Sequence, residues 1–350
     1  MFRGSFSLPS LPHSSIMKRM SKVLLLQCAE YDDVTESVAQ IFRFFDWAKS
    51  PLERSADRDH SSDLAAKNGN GRKSSAGPVL LKPNLLKATR AEEAVVTHPA
   101  LVNAVRSRIE GFSNEILIGD SPGWGRAEAV AKTAGYSVEK PRVKIVDFRR
   151  GSFLERKRPR RGPRGIFLAR EALEASVIFD LPKLKGHVQM GFTGAVKNLF
   201  GCVVGKRKPL YHCLVSNSKK AFAHLLLDIV EALPPVRVVM DGIVLMEGDG
   251  PSAGRPRHGG FLLAGEDPLS VDIVAAKILG FAPDEVPLLA AAKERGYPWR
   301  ISDIETEGAA IEEIRLRDFV RPRNIDITFN PFRLAWSVIK GQWYRYASVQ

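Results

Sequence analysis

The sequence contains little cysteine and no long apolar run, and each absence excludes a class of protein. Three cysteines occur among 350 residues, at Cys28, Cys202 and Cys213, and none belongs to a C-x-x-C pair. This usage argues against a disulfide scaffold and predicts a reducing, cytoplasmic location. No apolar run in the sequence reaches the roughly 18 residues that a bilayer-spanning helix requires. The sequence therefore predicts no membrane span.

The chain is long enough for one large domain with irregular additions. Because 44% of its 350 residues are hydrophobic, it can bury an extensive core, and we predict a single α/β domain over residues 22–320. Residues 1–21 lack the apolar segment of a secretory signal, and we expect a disordered or mis-annotated start. Residues 55–77 are polar, Gly/Ser-rich and aperiodic, which predicts a disordered insertion. Residues 321–350 form a tail rich in aromatic residues and cations.

The formal charge of +13 is concentrated in residues 149–164, which we interpret as a basic loop. This segment holds eight cations against one anion, a net of +7, and Pro and Gly interrupt it. A solvated surface loop explains this composition, and so does an electrostatic patch for nucleic acid or an acidic partner. No aromatic interleaving or nucleic-acid-binding module accompanies the charges, so nucleic acid is the less favoured partner.

Strand-like and helix-like segments alternate along the chain. In the first half we predict strands at residues 22–28, 78–81, 115–119 and 143–148, and helices at residues 34–49, 99–109 and 126–134. In the second half we predict strands at residues 177–181, 236–240 and 261–264, and helical segments at residues 191–200, 219–233 and 269–279. This alternation predicts an α/β fold with a largely parallel, Rossmann-like sheet, helices on both faces and a mixed second half.

The segment DLPKLKGHVQMGFTGAVKNLFG, at residues 180–201, is the most informative part of the sequence. An apolar strand ends in an expected loop carrying Lys183, Lys185 and His187. The helical segment after it carries Lys197 and Asn198. A strand end that opens onto a helix start is where α/β proteins bind anionic ligands. These residues predict a clamp for an anion, and a basic surface loop is the alternative.

A second group of polar residues follows the second strand of the chain. Lys82 and Asn84 lie at the carboxyl end of this strand, where they can hold a carboxylate or a phosphate. Thr97 and His98 precede the next helix, and a His beside a helix N-terminus favours its neutral form and suits proton transfer. We therefore predict His98 and His187 as catalytic residues. The alternative is that Lys82 and Asn84 simply leave the strand, and that Thr97 or His98 caps the helix.

Carboxylates near strand ends supply candidate metal ligands. Asp120 and Ser121 lie in the Gly-rich turn GDSPGWGR, whose backbone amides can cradle an anion. Asp241 and Glu247 follow a later strand. Carboxylate oxygens suit a divalent cation, so Asp120, Asp241 and Glu247 are candidate metal ligands, while Ser121 is a candidate ligand-binding residue. The alternatives are a tight turn without a ligand, Asx turns and helix caps.

Several ordered motifs resemble a known family. The sequence contains, in order, KPNLL, THP, GDSPG, DLPKLKGH, GFTGAVKNLFG, MDGIVLMEGDGP and GEDPLSVDIVAAKILG. Over roughly residues 22–319 the chain resembles the family called domain of unknown function 362. Many members of that family carry a ferredoxin-like segment with two 4Fe-4S clusters, which needs about eight cysteines. Since this chain has three cysteines, we expect no such cluster in it.

These observations predict an enzyme that binds a small anionic ligand, phosphorylated or carboxylate. The residues expected to bind it are Lys82, Asn84, Thr97, Ser121, Lys183, Lys185, Lys197 and Asn198. A divalent cation is a candidate cofactor, and because some relatives are tied to electron transfer, a redox link would use a separate ferredoxin. The alternatives are a non-catalytic module that binds a ligand or a partner, and a nucleic-acid-binding protein that uses the basic loop.

Overall fold

The computed structural model of the chain describes residues 21–47, 77–137, 141–156, 162–205 and 207–325. The predicted start segment, the predicted insertion and most of the predicted tail lie outside these residues. The domain boundaries drawn from the sequence therefore stay predictions. Within the described residues, no helix is both long and apolar enough to cross a membrane.

Ten strands form one sheet, and two more form a separate hairpin. The strands of the large sheet are β1 (Ser21–Gln27), β2 (Val79–Pro83), β3 (Ile116–Asp120), β4 (Val143–Asp147), β7 (Val177–Leu181), β8 (Lys183–His187), β9 (Gly191–Thr193), β10 (Val236–Glu247), β11 (Arg255–Gly265) and β12 (Ile304–Gly308). The hairpin consists of β5 (Gly151–Glu155) and β6 (Gly165–Ala169). The main path of the sheet runs β12-β1-β11-β10-β7-β2-β3-β4, and β8 pairs with β10 and β9.

Most strand pairs are parallel, as the sequence predicted. The consecutive pairs from β10 to β4 are all parallel, and so is the pair of β1 and β12. Within the large sheet, antiparallel pairing is confined to β11 with its two neighbours and to β8 with β9, and the β5–β6 hairpin is antiparallel as well. The predicted α/β fold, with a largely parallel sheet and a mixed second half, is therefore confirmed.

Helices cover both faces of the sheet. They are α1 (Val34–Phe44), α2 (Pro99–Ile109), α3 (Ala127–Thr133), α4 (Arg170–Leu173), α5 (Ala195–Leu199), α6 (Arg207–Leu214), α7 (Lys219–Ala232), α8 (Pro268–Ile278), α9 (Pro287–Arg295) and α10 (Ile311–Ile314). Alternate strand residues enter opposite cores: Leu80 and Ile178 pack with α5, α7 and α8, whereas Leu81 and Phe179 pack with α1, α2 and α3. This alternation follows from the two-residue period of a strand.

The strand order reverses between β2 and β7. From β2 the chain proceeds to β3 and β4 on one side, and it then returns to β7 and β10 on the other side. In an open parallel sheet, a reversal of this kind leaves a crevice at the carboxyl ends of the two strands, and ligands bind there. The residues at the carboxyl ends of β2 and β7 are therefore candidates for ligand binding.

Four segments differ from the sequence predictions. Residues 183–187, expected as a loop, form β8, and residues 191–193, expected as helical, form β9. The strand expected at residues 236–240 continues through Glu247 as β10, because β11 pairs with it to Arg255. The predicted basic loop contains β5 over five residues, whereas its residues 157–161 lie outside the described part of the chain. These strands were not predicted because their charged side chains resemble those of a solvated loop. In the structure several of these side chains are buried.

A buried ion-pair network attaches the hairpin to the helices. Arg156, directly after β5, lies with its Nε 2.5 Å from Asp228 Oδ2 on α7. Arg295 on α9 holds the other oxygen of Asp228 at 2.8 Å. The side chains of all three residues are 5% exposed or less. Arg156, counted from the sequence as part of a solvated basic loop, is thus a structural residue.

Removal of the Asp228 charge is expected to destabilise the protein strongly. In Asp228→Asn both arginines stay buried without their shared carboxylate, which costs about 3 kcal/mol or more. Urea unfolding monitored by circular dichroism measures this loss. Glu36→Gln, which breaks an exposed pair with Arg43, serves as the control and should unfold at the wild-type urea concentration. Equal midpoints for the two variants would contradict the assignment.

Candidate functional site

Polar and charged side chains are buried at the carboxyl ends of the central strands. Lys82 ends β2, Asp120 ends β3 and Asp180 lies near the end of β7. None of these residues is more than 4% exposed. Burial of charge is costly unless hydrogen bonds and opposite charges replace water. The contacts that compensate this cost define the candidate site.

Asn198, on α5, joins these strand ends through its side-chain amide. Its Nδ2 donates to the Lys82 carbonyl oxygen at 3.1 Å and to Asp180 Oδ1 at 2.8 Å. Its Oδ1 accepts from Asn84 Nδ2 at 3.0 Å. The Lys82 ammonium group lies 3.1 Å from Asp120 Oδ1. We call these residues the Asn198 network: Lys82, Asn84, Asp120, Asp180 and Asn198.

Lys185 extends this network from β8. It is 1% exposed, and its Nζ donates to Asn84 Oδ1 at 3.1 Å and to the Val95 carbonyl oxygen at 2.8 Å. No carboxylate of the described residues forms an ion pair with this ammonium group. Burial, followed by the neighbouring cations with Lys197 first, lowers the pKa of Lys185 well below its usual value. A lysine in this position gains its charge back when an anion approaches.

Asp180 is a functional candidate that the sequence reasoning missed. It is fully buried, and its Oδ2 has no hydrogen-bond partner among the described residues. Burial raises the pKa of the Asp180 carboxyl well above its usual value, despite the opposing effect of Lys82. The raised pKa favours the protonated form of this carboxyl group, which can act as a hydrogen-bond or proton donor. The signal in the sequence was the lone acid in the apolar strand VIFDL.

A second buried network surrounds Asp241 on β10. The Lys183 ammonium group lies 2.5 Å from Asp241 Oδ2, and the Tyr31 hydroxyl donates to Oδ1 at 2.9 Å. The His98 backbone N–H donates to Oδ2 at 3.0 Å. Burial lowers the pKa of Lys183 and raises that of Tyr31. We call Asp241, Lys183, Tyr31 and His98 the Asp241 network; Tyr31 had no distinguishing signal in the sequence.

Thr97 connects the two networks. Its hydroxyl accepts from the Asn84 backbone N–H at 2.8 Å and donates to the Leu181 carbonyl oxygen at 2.6 Å. Thr97 is therefore engaged on both sides, and its hydroxyl ties β2 to the end of β7. Of the two candidate caps of α2, His98 fills the position, since its ring accepts the first helical N–H.

The two predicted catalytic histidines are both neutral donors. Nδ1 of His98 accepts from the Ala100 backbone N–H at 3.2 Å, and its ring stacks on Tyr31 with centroids 3.5 Å apart. Nδ1 of His187 accepts from the Gln189 backbone N–H at 3.2 Å. Burial lowers the pKa of each, strongly so for His187. Because Nδ1 is an acceptor in both rings, the proton of each neutral imidazole lies on Nε2.

Lys197 lies in an aromatic environment on α5. Its Nζ is 5.1 Å from the centroid of the Phe200 ring and 5.3 Å from that of Phe222. Within the described residues, no acidic group forms an ion pair with it. Burial and the nearby Lys208 lower the pKa of Lys197 to about 7. His212, stacked on Phe222, is also held neutral, with a pKa of about 3 caused by burial and by Lys197.

Ser121 contacts the segment that follows α5. Its hydroxyl accepts from the Gly205 backbone N–H at 3.1 Å, and its carbonyl oxygen accepts from Lys208 Nζ. Its own N–H donates to Asp120 Oδ1 at 2.7 Å. Burial lowers the pKa of Lys208 to about 8. Lys208 was not selected from the sequence, because its position in a run of cations resembles a solvated surface.

The three candidate metal ligands lie in different networks. Asp120 pairs with Lys82, and Asp241 pairs with Lys183. Glu247 accepts from Arg255 Nε at 2.8 Å and from a backbone N–H at 3.1 Å. Across the described ranges, no group of three or more His, Cys, Asp or Glu side chains is arranged to hold a metal ion.

Two other carboxylates cap helices. Asp267 accepts the backbone N–H groups of Leu269 and Ser270 at the start of α8. Asp272 accepts those of Ala195 and Val196 at 2.6 and 3.0 Å, and thereby fixes the start of α5. Helix capping is therefore the structural role of both residues.

Gly201 allows the end of α5 to approach the Lys82–Asp120 pair. A Cβ atom at this position would lie 2.6 Å from Lys82 Nζ and even closer to Asp120 Oδ1. We expect Gly201→Ala to separate the ion pair and to lower the free energy of unfolding by about 1–3 kcal/mol. Chemical denaturation measures the change. At the exposed Gly111 the nearest heavy atom is 3.6 Å away, so Gly111→Ala should be neutral; equal stability of both variants would contradict the close approach.

Comparisons with known proteins give the chain its family. Over 220 residues it is 37% identical to a thylakoid-associated protein of Synechocystis sp. (strain ATCC 27184 / PCC 6803 / Kazusa), a match that covers 62% of this chain and 68% of that protein. The structure of the lactate racemase apoprotein from Thermoanaerobacterium thermosaccharolyticum aligns over 77% of this chain and 59% of its own chain. The two sequences are 13% identical in this alignment, and the TM-score is 0.38. Residues 79–277 match the family described as Domain of unknown function (DUF362), and this match spans more than half of the sequence. The resemblance found in the motifs is thus confirmed, and the chain belongs to this family.

Proposed function

We propose that the protein is an enzyme that binds a small anionic ligand, a carboxylate or a phosphorylated compound, at the carboxyl ends of β2 and β7. The observation that carries this proposal is a surplus of lysines over acidic partners at the site. Lys82 and Lys183 each have a carboxylate partner, whereas the buried Lys185 and the half-buried Lys197 have none among the described residues. A lysine removed from water without such a partner is costly, and a bound anion would compensate it.

The Asn198 network supports this proposal because it holds the donors in place before a ligand arrives. Asn84 accepts the Lys185 ammonium group, and Asn198 fixes Asn84 in turn. Preorganised donors avoid the cost of reorganisation when charge develops on a bound group. The set of hydrogen bonds around Lys185 is therefore typical of an anion site rather than of a solvated surface.

The protonation states support an assignment of roles. His98 and His187 present Nε2–H groups, which suit hydrogen-bond donation to an oxygen of the ligand. Lys197, with a pKa of about 7, has a neutral fraction near physiological pH that can accept a proton. Asp180 can return one, since burial raises the pKa of its carboxyl group and favours the protonated form. Acid and base groups with separated pKa values distinguish an enzyme from a simple binding module.

Access for a ligand is proposed next to Lys197. A shallow depression is lined by Gln189, Met190, His212, Asn217, Ser218, Lys219 and Phe222. Phe222, one of these residues, has its ring centroid 5.3 Å from Lys197 Nζ, so this depression lies beside the unpaired lysine. If the reaction involves electrons, a separate ferredoxin would bring them, because three cysteines do not supply the ligands of two 4Fe-4S clusters.

Replacement of either unpaired lysine is expected to abolish anion binding while the protein remains folded. Lys185→Met and Lys197→Met keep the side-chain length and remove the ammonium group. Lys185→Met also leaves Asn84 Oδ1 and the Val95 carbonyl oxygen without this donor, so it should lower the free energy of unfolding by about 1–3 kcal/mol, whereas Lys197→Met should be about as stable as wild type. Thermal-shift titrations with inorganic phosphate and with malonate measure binding. Wild type should gain stability with at least one of these anions, and both variants should lose the response.

Lys132→Met is the matched control, because Lys132 is exposed on α3. It should keep the wild-type response to both anions. Absence of a response in wild type, or an unchanged response in both the Lys185 and the Lys197 variants, contradicts the proposal. If His98→Gln and His187→Gln keep the thermal shift with the anion but lose enzymatic turnover, the two histidines are catalytic. A module that only binds would keep every function in these two variants.

Anion affinity is expected to fall as the pH rises through 7. The protonated form of Lys197 binds the anion, and its pKa of about 7 means that this form is lost progressively above neutrality. Affinity for sulfate, whose charge is constant in this range, should therefore fall toward about ten-fold for each pH unit above 7. Isothermal titration at pH 6, 7, 8 and 9 measures the slope. Lys197→Arg stays charged and should flatten it; an equal slope in that variant would assign the titration to another group.

A further inference from the structure

An apolar patch with basic neighbours is exposed on the hairpin and on α6. Phe153 on β5 is 57% exposed, and Leu210 and Leu214 on α6 are 46% and 44% exposed. Their neighbours Tyr211 and His212 on the same helix are buried. The solvent side of this helix is thus occupied by leucines, where a soluble helix normally carries polar residues. We call Phe153, Arg207, Leu210 and Leu214 the α6 patch.

These residues form one continuous surface. Phe153 is the cross-strand partner of Phe167, so both rings lie on the same face of the hairpin. Arg207 at the start of α6 stacks over the Phe167 ring, 4.2 Å from its centroid. Leu210 and Leu214 follow Arg207 by three and seven positions, a spacing that places all three on one helix face. The contacts therefore connect Phe153 with both leucines through Phe167 and Arg207.

Cations outnumber acids among the described residues next to this patch. Arg150 and Arg164 flank the two hairpin strands, and Arg207 lies within the patch itself. None of these three guanidinium groups forms an ion pair with another described residue. Glu155, at the end of β5, is the acid on the hairpin strands. The described charges next to the patch are therefore positive on balance.

We propose that the α6 patch binds the surface of a membrane that contains anionic lipids. Leu210, Leu214 and Phe153 would enter the boundary between headgroups and acyl chains, while the arginines contact lipid phosphates. Arginine suits this boundary because its stem covers apolar surface while its guanidinium group remains with the headgroups. This surface is independent of the proposed anion site, since neither Lys185 nor Lys197 belongs to it.

The apolar residues favour a lipid surface over nucleic acid. Nucleic-acid affinity comes mainly from contacts of cations with phosphates, and exposed leucines contribute nothing to them. A bilayer interface uses both components, because it buries apolar side chains and attracts cations at the same time. The proposal therefore requires that both the leucines and the arginines contribute to binding.

Sedimentation with lipid vesicles tests the proposal on the full chain. We expect the wild-type protein to sediment with vesicles of phosphatidylglycerol and phosphatidylcholine at about 0.1 M salt, and to remain in solution with phosphatidylcholine alone. Leu210→Ser combined with Leu214→Ser should weaken this binding by about ten-fold or more. Arg207→Glu should also weaken it. All of these residues are exposed, so the variants should melt at the wild-type temperature.

Phe44→Ser is the matched control, because Phe44 is an exposed aromatic residue on α1, which packs on the other face of the sheet. This variant should bind vesicles as wild type does. Wild-type protein that does not sediment with the anionic vesicles would overturn the proposal. So would a double leucine variant with unchanged binding, which would assign the interaction to charge alone. Displacement from the vesicles by a duplex oligonucleotide, with no dependence on the leucines, would instead assign the surface to nucleic acid.

Discussion

The hydrogen bonds of the Asn198 side chain hold the candidate site together. A charged group buried in an apolar core is tolerated only when other polar groups replace its hydration. Asn198 meets this requirement for both strands at the point of reversal, since its amide contacts the Lys82 carbonyl oxygen of β2 and the Asp180 carboxyl of β7. One side chain thus satisfies groups that would otherwise prevent the two strand ends from packing beside α5.

The position of Asn198 depends in turn on how α5 is anchored. Asp272 accepts the first two N–H groups of this short helix, although it belongs to α8. A helix of five residues has little stability of its own, so this distant carboxyl group fixes its start. The orientation of α5 in turn places the Lys197 ammonium group beside the rings of Phe200 and Phe222. The geometry of the site therefore comes from packing between elements far apart in sequence.

The sequence allowed prediction of the alternating elements and of most residues in the two networks, because strand ends in parallel sheets converge. It did not allow prediction of β8, since Lys183, Lys185 and His187 resemble a solvated loop unless their burial is known. Asp180 was missed for the same physical reason. The role of an acid in an apolar strand depends on the groups near it in space, here Lys82 and the Asn198 amide. Arg156 was counted with a basic loop because its partner Asp228 lies 72 positions away. Pairings over such distances leave no local pattern.

The missing side chain at Gly201 also limits how this protein can change during evolution. The end of α5 lies against Lys82 and Asp120 so closely that no other residue fits there while this pair is intact. A lineage that loses the lysine or the aspartate frees the space, and only then does position 201 tolerate alanine or serine. The three positions are thus expected to vary together among relatives, and a substitution at one of them marks a homologue whose strand ends serve a different chemistry.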